Sequence, residues 1–333
     1  MVSKKKLMQS LRYLEEFELS LGSNVSVWET LWLPDMIIAG LSDGRVCSID
    51  PEQGALNSDH CGKPHKLGNV LEMVSSCYPA GEAGCSSKQP YKIWAAALHP
   101  FDDLFVNAGS DPAPTLYSAE SDSLGVQLSQ IPVDQAEELA FAVNVCFNHD
   151  GSLFAIGLNT GTVLLFNTSN QSQLATITEH AQPVRALHFS LPQTSFADML
   201  FVGSDDHSTT VHDLQGIDAM HPPRTITALH GHQGWVLDIQ SGGDGRILAT
   251  CGSDATIQLW DLGASPISTI ATFTQSTAVW SLAWKSDTSY LQSQEQISTQ
   301  LLLPGSNFVT GSDDGVVRRY RNAGTSTNTN VDT

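Results

Sequence analysis

Aspartate, histidine and hydroxyl residues recur along this chain at fixed intervals, and such sets can relay protons or activate a nucleophile. Asp254 stands six residues before Trp260 in "ATCGSDATIQLWDL", with Thr250 four residues ahead of it and His232 farther upstream. Asp206 stands six before His212, and His180 lies upstream of that pair. Asp43, Asp111 and Asp314 keep the same interval to Ile49, Tyr117 and Tyr320, and Thr160 keeps it to Phe166. A second set, His60, Cys61, His65, Cys77 and Cys85, has the residue types of a zinc site. Its spacing, C-x3-H-x11-C-x7-C, fits no familiar ligand pattern, so no metal is expected. The chain has no G-x-S-x-G elbow, no phosphate-cradling glycine loop and no H-E-x-x-H helix. The carboxylates therefore follow a repeat rather than a catalytic constellation. Neither an enzyme nor a cofactor is expected.

That repeat consists of strands. Each aspartate sits in a tight turn between two short alternating runs, as in "AGLSDGRVCSID", "GSDDHSTTVHDL" and "GSDDGVVRRYR". Upstream of each copy lies another period-two run: "VSVWETLWL", "YKIWAAALHP", "FAVNVCFNHDG", "PVRALHFS", "GWVLDIQSGGDG" and "AVWSLAWKSD". The units start near Trp28, Trp94, Asn144, Arg185, Leu237 and Trp280, and the later ones recur every 41 to 52 residues. Four-stranded propeller blades have this period, and the span holds about seven units of roughly 42 residues. The sequence predicts an all-β propeller of seven blades with a degraded second blade in 51–90, or six blades if that segment forms none. "YLEEFELSL" is a free strand ahead of the first unit and is expected to complete the last blade, whose edges would otherwise be exposed. Domain bounds follow: an N-terminal segment 1–19, one propeller over 20–323, and a polar, disordered tail over 324–333. Segments 191–199 and 287–306 lengthen loops between first and second strands. Helix-like patterning is confined to 5–18 and 133–141.

The net charge is −19, from 16 basic and 35 acidic residues. Such a field repels phosphate backbones, so direct nucleic-acid binding is not expected, and basic partner peptides are favoured. No window of eighteen apolar residues is present, so no membrane helix is predicted. The basic start, "MVSKKKLMQSL", is interrupted by acids before any signal-length apolar run and reads as the mature start of an unsecreted protein. The six cysteines have no framework spacing, which fits reduced thiols in cytoplasm or nucleus.

The unit "GHQGWVLDIQSGGDGRILATCGSDATIQLWDL" resembles the Gly-His…Trp-Asp signature of WD-repeat propellers. The resemblance implies that His232, Thr250, Asp254 and Trp260 form a buried hydrogen-bonded chain, with His180 and Asp206 in the preceding unit as a weaker copy. The order of "NHDGSLFAIGLNTGTVLLFN", "EHAQPVRALHFS", "GHQGWVLDI", "AVWSLAW" and "GSDDGVVRRYRNAG" is similar to the WD-repeat subunit of the superkiller (Ski) complex. That likeness implies a non-catalytic scaffold. It would be a monomeric propeller within a hetero-oligomer, binding a tetratricopeptide-repeat subunit and helping to position an RNA helicase for cytoplasmic mRNA decay by the exosome. Relatives also serve in the nuclear polymerase-associated factor complex and in meiotic recombination, so both cytoplasm and nucleus are implied. A ubiquitin-ligase substrate receptor, another WD-repeat occupation, is the alternative adaptor.

In such propellers the starts of the first strands share one rim with the aspartate turns. Trp28, Trp94, Asn144, Arg185 and Trp280 are thus expected to bind a partner, with Trp235 beside them, since Trp and Arg anchor interfaces. The competing account is that these rings cap blade packing. Trp32 and Trp284, four residues deeper, are expected in the core, and the turn aspartates are expected to be structural.

Overall fold

A computed structural model describes residues 13–322 apart from 23–24, 34–35, 43–45, 57–92, 121, 134–138, 193, 195, 219–220, 243–244 and 286–306. The described residues are all-β. Strands β1 (Tyr13–Ser20), β2 (Val27–Trp32), β3 (Ile37–Leu41), β4 (Val46–Asp50) and β5 (Ala55–Leu56) come first. Next are β6 (Ile93–Leu98), β7 (Leu104–Gly109), β8 (Thr115–Ser118), β9 (Gln127–Gln130), β10 (Ala142–Phe147), β11 (Leu153–Leu158), β12 (Val163–Asn167) and β13 (Ser172–Ile177). They are followed by β14 (Val184–Phe189), β15 (Met199–Ser204), β16 (Ser208–Asp213), β17 (Arg224–His230), β18 (Val236–Ser241), β19 (Ile247–Gly252) and β20 (Thr256–Asp261). The last are β21 (Ser268–Thr274), β22 (Val279–Trp284), β23 (Asn307–Ser312) and β24 (Val316–Asn322).

Five antiparallel sheets take four consecutive strands each, β2–β5, β6–β9, β10–β13, β14–β17 and β18–β21. The sixth is ordered β1-β24-β23-β22. This is the four-stranded blade that the repeat predicts, and the fold is of the WD-repeat β-propeller class. Six sheets stand among the described residues. Most of the expected degraded blade, 57–92, lies outside them, as do the expected tail and nearly all of 287–306. Residues 51–56, grouped above with the irregular segment, instead turn back and complete the first sheet, with Ala55 and Leu56 opposite Asp50 and Ile49.

β1 pairs with β24 from Tyr13↔Asn322 to Ser20↔Val316, so the N-terminal strand does supply the missing strand of the last sheet. The helix-like composition of 13–18 is overridden because Phe17 and Leu19, two apart, pack onto a shared core with Val309 and Val317. Of the helix-like stretch 133–141, residues 134–138 fall outside the described residues, and 133 and 139–140 are irregular or turn.

The chain divides into two compact units, 1–62 with 240–333, and 63–239, and the division falls inside β18. Within 63–239, β10 packs on β6 and β7, and β14 packs on β10 and β11. Within the other unit, β2 packs on β22 and β23, and β22 packs on β19. One device recurs in both. A glycine near the end of a second strand receives the first valine of the next sheet: Gly157 takes Val184, Gly203 takes Val236, and Gly311 takes Val27. All three valines are fully buried. A side chain on any of these glycines would overlap the valine.

Candidate functional site

The aspartate turns are built from local chemistry. The amide of the residue after each aspartate bonds three residues back, from His207, Ala255 and Gly315 to Ser204, Gly252 and Ser312. The carboxylate then accepts the next amide, from Ser208 to Asp206 at 3.0 Å, Thr256 to Asp254 at 3.1 Å and Val316 to Asp314 at 3.2 Å. Ser208 and Thr256 add their hydroxyls at 2.6 and 2.8 Å. A short carboxylate can mimic a backbone turn in this way. Burial opposes ionisation of Asp206, but bonds from Ser208 and His180 outweigh it and hold the carboxyl below its ordinary range. Asp314 is held down likewise, burial being outweighed by Arg318. These acids are stable acceptors. They have no proton to give near neutral pH.

The predicted buried chain runs through the unit whose sequence signature is weaker. His180 Nδ1 faces Asp206 Oδ2 at 2.8 Å and its Nε2 faces Thr210 Oγ1 at 2.9 Å. Thr210 Oγ1 continues to His212 Nε2 at 2.7 Å, and His212 Nδ1 lies 3.3 Å from Thr225 Oγ1. Burial, then the nearby His180, push His212 down to about 4, so it stays neutral. In the following unit, Trp260 Nε1 donates to Thr250 Oγ1 at 3.0 Å, as the resemblance implies, and His232 is buried. The hydroxyl changes strand between the two: Thr250 is on β19, whereas Thr210 is on β16, across from Val202.

A third version escaped the sequence reading. Gln275, four residues before Val279 just as His180 is four before Val184, donates to Thr310 Oγ1 at 2.8 Å and Tyr320 Oη at 3.1 Å. Arg318, almost fully buried, bridges Asp314 Oδ2 and Glu18 Oε1 at 2.8 Å each, tying the turn to β1. The spacing to the strand valine was the available signal. A search for histidine passes over glutamine. In all versions these residues fasten sheets.

The rim residues are set by bulges. Register skips one residue after Val27, Ile93, Ala142, Val184 and Val279. Trp28, Trp94, Val143, Arg185 and Trp280 are therefore the bulge residues, left out of the strand register. The skip corrects one placement: Val143 holds the bulge position, while Asn144 pairs with Gly157. Asn144 still joins the group, because its Nδ2 donates to the Arg185 carbonyl at 2.6 Å.

Within the 63–239 unit, Arg185 forks onto Asp205, Nε to Oδ1 at 2.6 Å and Nη2 to Oδ2 at 2.9 Å. The same guanidinium carbon lies 5.0 Å from the Trp235 ring centroid, within cation–π range. Trp235 nevertheless leaves 45% of its surface exposed. Trp94 lies in β6; its side chain is outside the described set. In the other unit, Trp28 is 55% exposed, and Trp280 Nε1 donates to Asp313 Oδ1 at 3.1 Å. Ser26 bonds the same oxygen at 2.7 Å. Asp205 and Asp313 are the first aspartates of two Ser-Asp-Asp turns, so each turn holds the bulged residue of its own sheet. Trp32 is fully buried, and Trp284 packs on Phe308 with its Nε1 on the Gln240 carbonyl, as core residues should. Among the described residues, His180, His232, Thr250 and Trp260 are buried, whereas Trp28 and Trp235 are about half exposed.

Comparison with known proteins fits this arrangement. The family described as WD domain, G-beta repeat matches residues 223–261 and 267–321. The chain carries WD40 repeats. Among curated relatives, the WD repeat-containing protein slp1 of Schizosaccharomyces pombe is 29% identical across 45% of this chain and 28% of its own length. Gem-associated protein 5 of Mus musculus is 29% identical across 60% of this chain and 16% of its length. DDB1- and CUL4-associated factor 10 of Homo sapiens is 29% identical across 35% and 20%. The WD-repeat chain therefore spans less than a third of the length of these relatives. His60, Cys61, His65, Cys77 and Cys85 lie outside the described residues. Cys47, Cys146 and Cys251 are in no disulfide.

Proposed function

We propose that this WD-repeat chain is a non-catalytic adaptor that grips peptide segments of larger proteins through its bulged tryptophan and arginine residues. The observation that carries the reading is the Arg185–Asp205–Trp235 group. Asp205 fixes the guanidinium, the guanidinium braces the indole, and the indole remains open. A braced, half-exposed tryptophan loses little freedom on binding, as an interface anchor requires. The fork uses Nε and Nη2, leaving Nη1 to a partner's carbonyl or carboxylate. The finer reading is a Ski-like scaffold that holds a tetratricopeptide-repeat subunit and an RNA helicase, in cytoplasm and nucleus, without touching nucleic acid itself. The order of the sequence phrases over about 140–324 supports it. Similarity to DDB1- and CUL4-associated factor 10 supports a second reading, association with DDB1 and CUL4.

Affinity purification and mass spectrometry of wild type, Trp235→Ala and Trp280→Glu test all of this. Loss of an anchor of this kind weakens binding by about 30-fold or more. Folded variants should lose the principal partners, and the partners' identity separates the two assemblies. Folded variants that retain every partner would refute the rim.

A further inference from the structure

The end of the β6–β9 sheet opposite Trp94 has a groove that the rim does not use. The β6–β7 turn and the β8–β9 turn wall a cavity of about 470 Å³. Phe101, Leu104 and Leu128 give it an apolar floor, and Asp102, Asp103 and Glu120 stand around it. Phe101 is 68% exposed and Leu128 55%, an unusual cost for a sheet end with no partner. Leu98 and Val126 beside them are also more than half exposed.

The groove is preorganised. His99 is buried, and its Nδ1 accepts the amides of Phe101 at 3.3 Å and Asp102 at 2.8 Å. With Nδ1 accepting, the proton belongs on Nε2, which donates to the Gly151 carbonyl at 3.1 Å. That bond ties the turn to the next sheet and holds Phe101 out to solvent. On the other wall, Ser118 Oγ lies 2.7 Å from Ser123 Oγ, and Ser123 reaches Glu120 at 3.2 Å.

Charge selects the occupant. Between Lys92 and Arg185 the chain has ten carboxylates and no lysine or arginine. The β6–β9 and β10–β13 sheets thus supply no lysine or arginine to offset Asp102, Asp103 and Glu120 at the groove, which favours cations there over acids. We propose that this groove docks a partner segment in which a bulky apolar side chain is flanked by lysine or arginine. The apolar side chain would cover Phe101 and Leu128, while its basic neighbours would meet Asp102, Asp103 and Glu120. The site stands independently of the rim.

The test is fluorescence anisotropy with a labelled peptide carrying leucine and phenylalanine between lysine pairs. Controls replace the lysines with glutamate, or the two apolar residues with alanine. The lysine peptide should bind with a Kd below ~1 mM and weaken as salt rises. Phe101→Ser and the double change Asp102→Lys with Asp103→Lys should each weaken it at least tenfold, and Trp235→Ala should leave it unchanged. These side chains are exposed, so unchanged melting temperatures should confirm folding. Absence of binding, equal binding of either control, or insensitivity to the groove variants would overturn the proposal.

Discussion

Gly203→Ala tests whether the seat of Val236 sets the position of Trp235. A Cβ on Gly203 would stand 2.7 Å from Val236 Cγ1 and 2.8 Å from Ile239 Cδ1. Both are far inside the ~3.5–4.0 Å of an ordinary carbon contact. In open space the change would stabilise by about 0.4–1 kcal/mol, because alanine restricts the unfolded chain. The overlap should reverse that sign and cost about 1–3 kcal/mol. Val236→Ala alone removes two buried methyl groups and should cost about 2 kcal/mol. In the double variant the nearest fixed atom is Val236 Cβ, 3.1 Å away, and the Ile239 methyl can rotate aside. The double cost should therefore fall short of the sum by about 1 kcal/mol or more. Trp235 directly precedes Val236, so a valine pushed out of its seat also carries the indole off Arg185. Urea denaturation of the four proteins measures the coupling. Binding of the rim partner should fall in Gly203→Ala and recover in the double variant. Strictly additive costs, or a Gly203→Ala protein as stable as wild type, would refute the reasoning.

Acid should act early on the buried histidine chain. His212 sits near 4 when folded and near 6.5 when free, so the unfolded state takes up the proton first. Stability is then complete above about 6.5 and falls by up to about 3 kcal/mol as pH drops towards 4. His212→Phe, the residue type that Phe166 brings to this position, should flatten that slope in pH-dependent urea midpoints while leaving the steeper loss below 4, to which Asp206 contributes. An unchanged slope would count against a neutral buried His212. Ala255 follows a turn aspartate at a φ of 62°, where Gly315 takes the same place at 73°. Ala255→Gly should therefore raise stability by about 0.5–1 kcal/mol, read as a higher melting temperature; a lower one would mean that no strain is stored there.

The turns and most strands were legible because their chemistry is local. An aspartate whose carboxylate accepts the amide two residues on leaves its mark within three residues, and alternation marks the strands around it. What was hidden depended on neighbours far away in sequence. Gln275 does a histidine's work because Thr310 and Tyr320 face it, and nothing near residue 275 announces them. Thr210 took over the hydroxyl from the β15 position because Val202, opposite it, cannot supply one. Asn144 and Val143 exchanged places through a bulge, which shifts register by one residue without altering the alternation that reveals a strand. The tryptophans at and beside the bulges are legible by type and column, but the bracing of Trp235 is not. Asp205 looks like half of a turn motif until Arg185 is seen lying on it. The groove at Phe101 left only a weak signal, a long stretch without lysine or arginine.

The pairing of β1 with β24 has a consequence for how the protein is made. Tyr13 is synthesised before its partner, Asn322, which follows 309 residues later. At roughly 5–20 residues per second, β1 waits about 15–60 s before the strand it completes exists. During that interval β1 stays unmatched, and once β22 and β23 exist their sheet is unmatched too. Two copies on one polysome, each offering the other its missing piece, could exchange first strands and emerge linked. The protein's abundance should thus depend on how sparsely ribosomes load its message, a sensitivity located in the eight residues of β1.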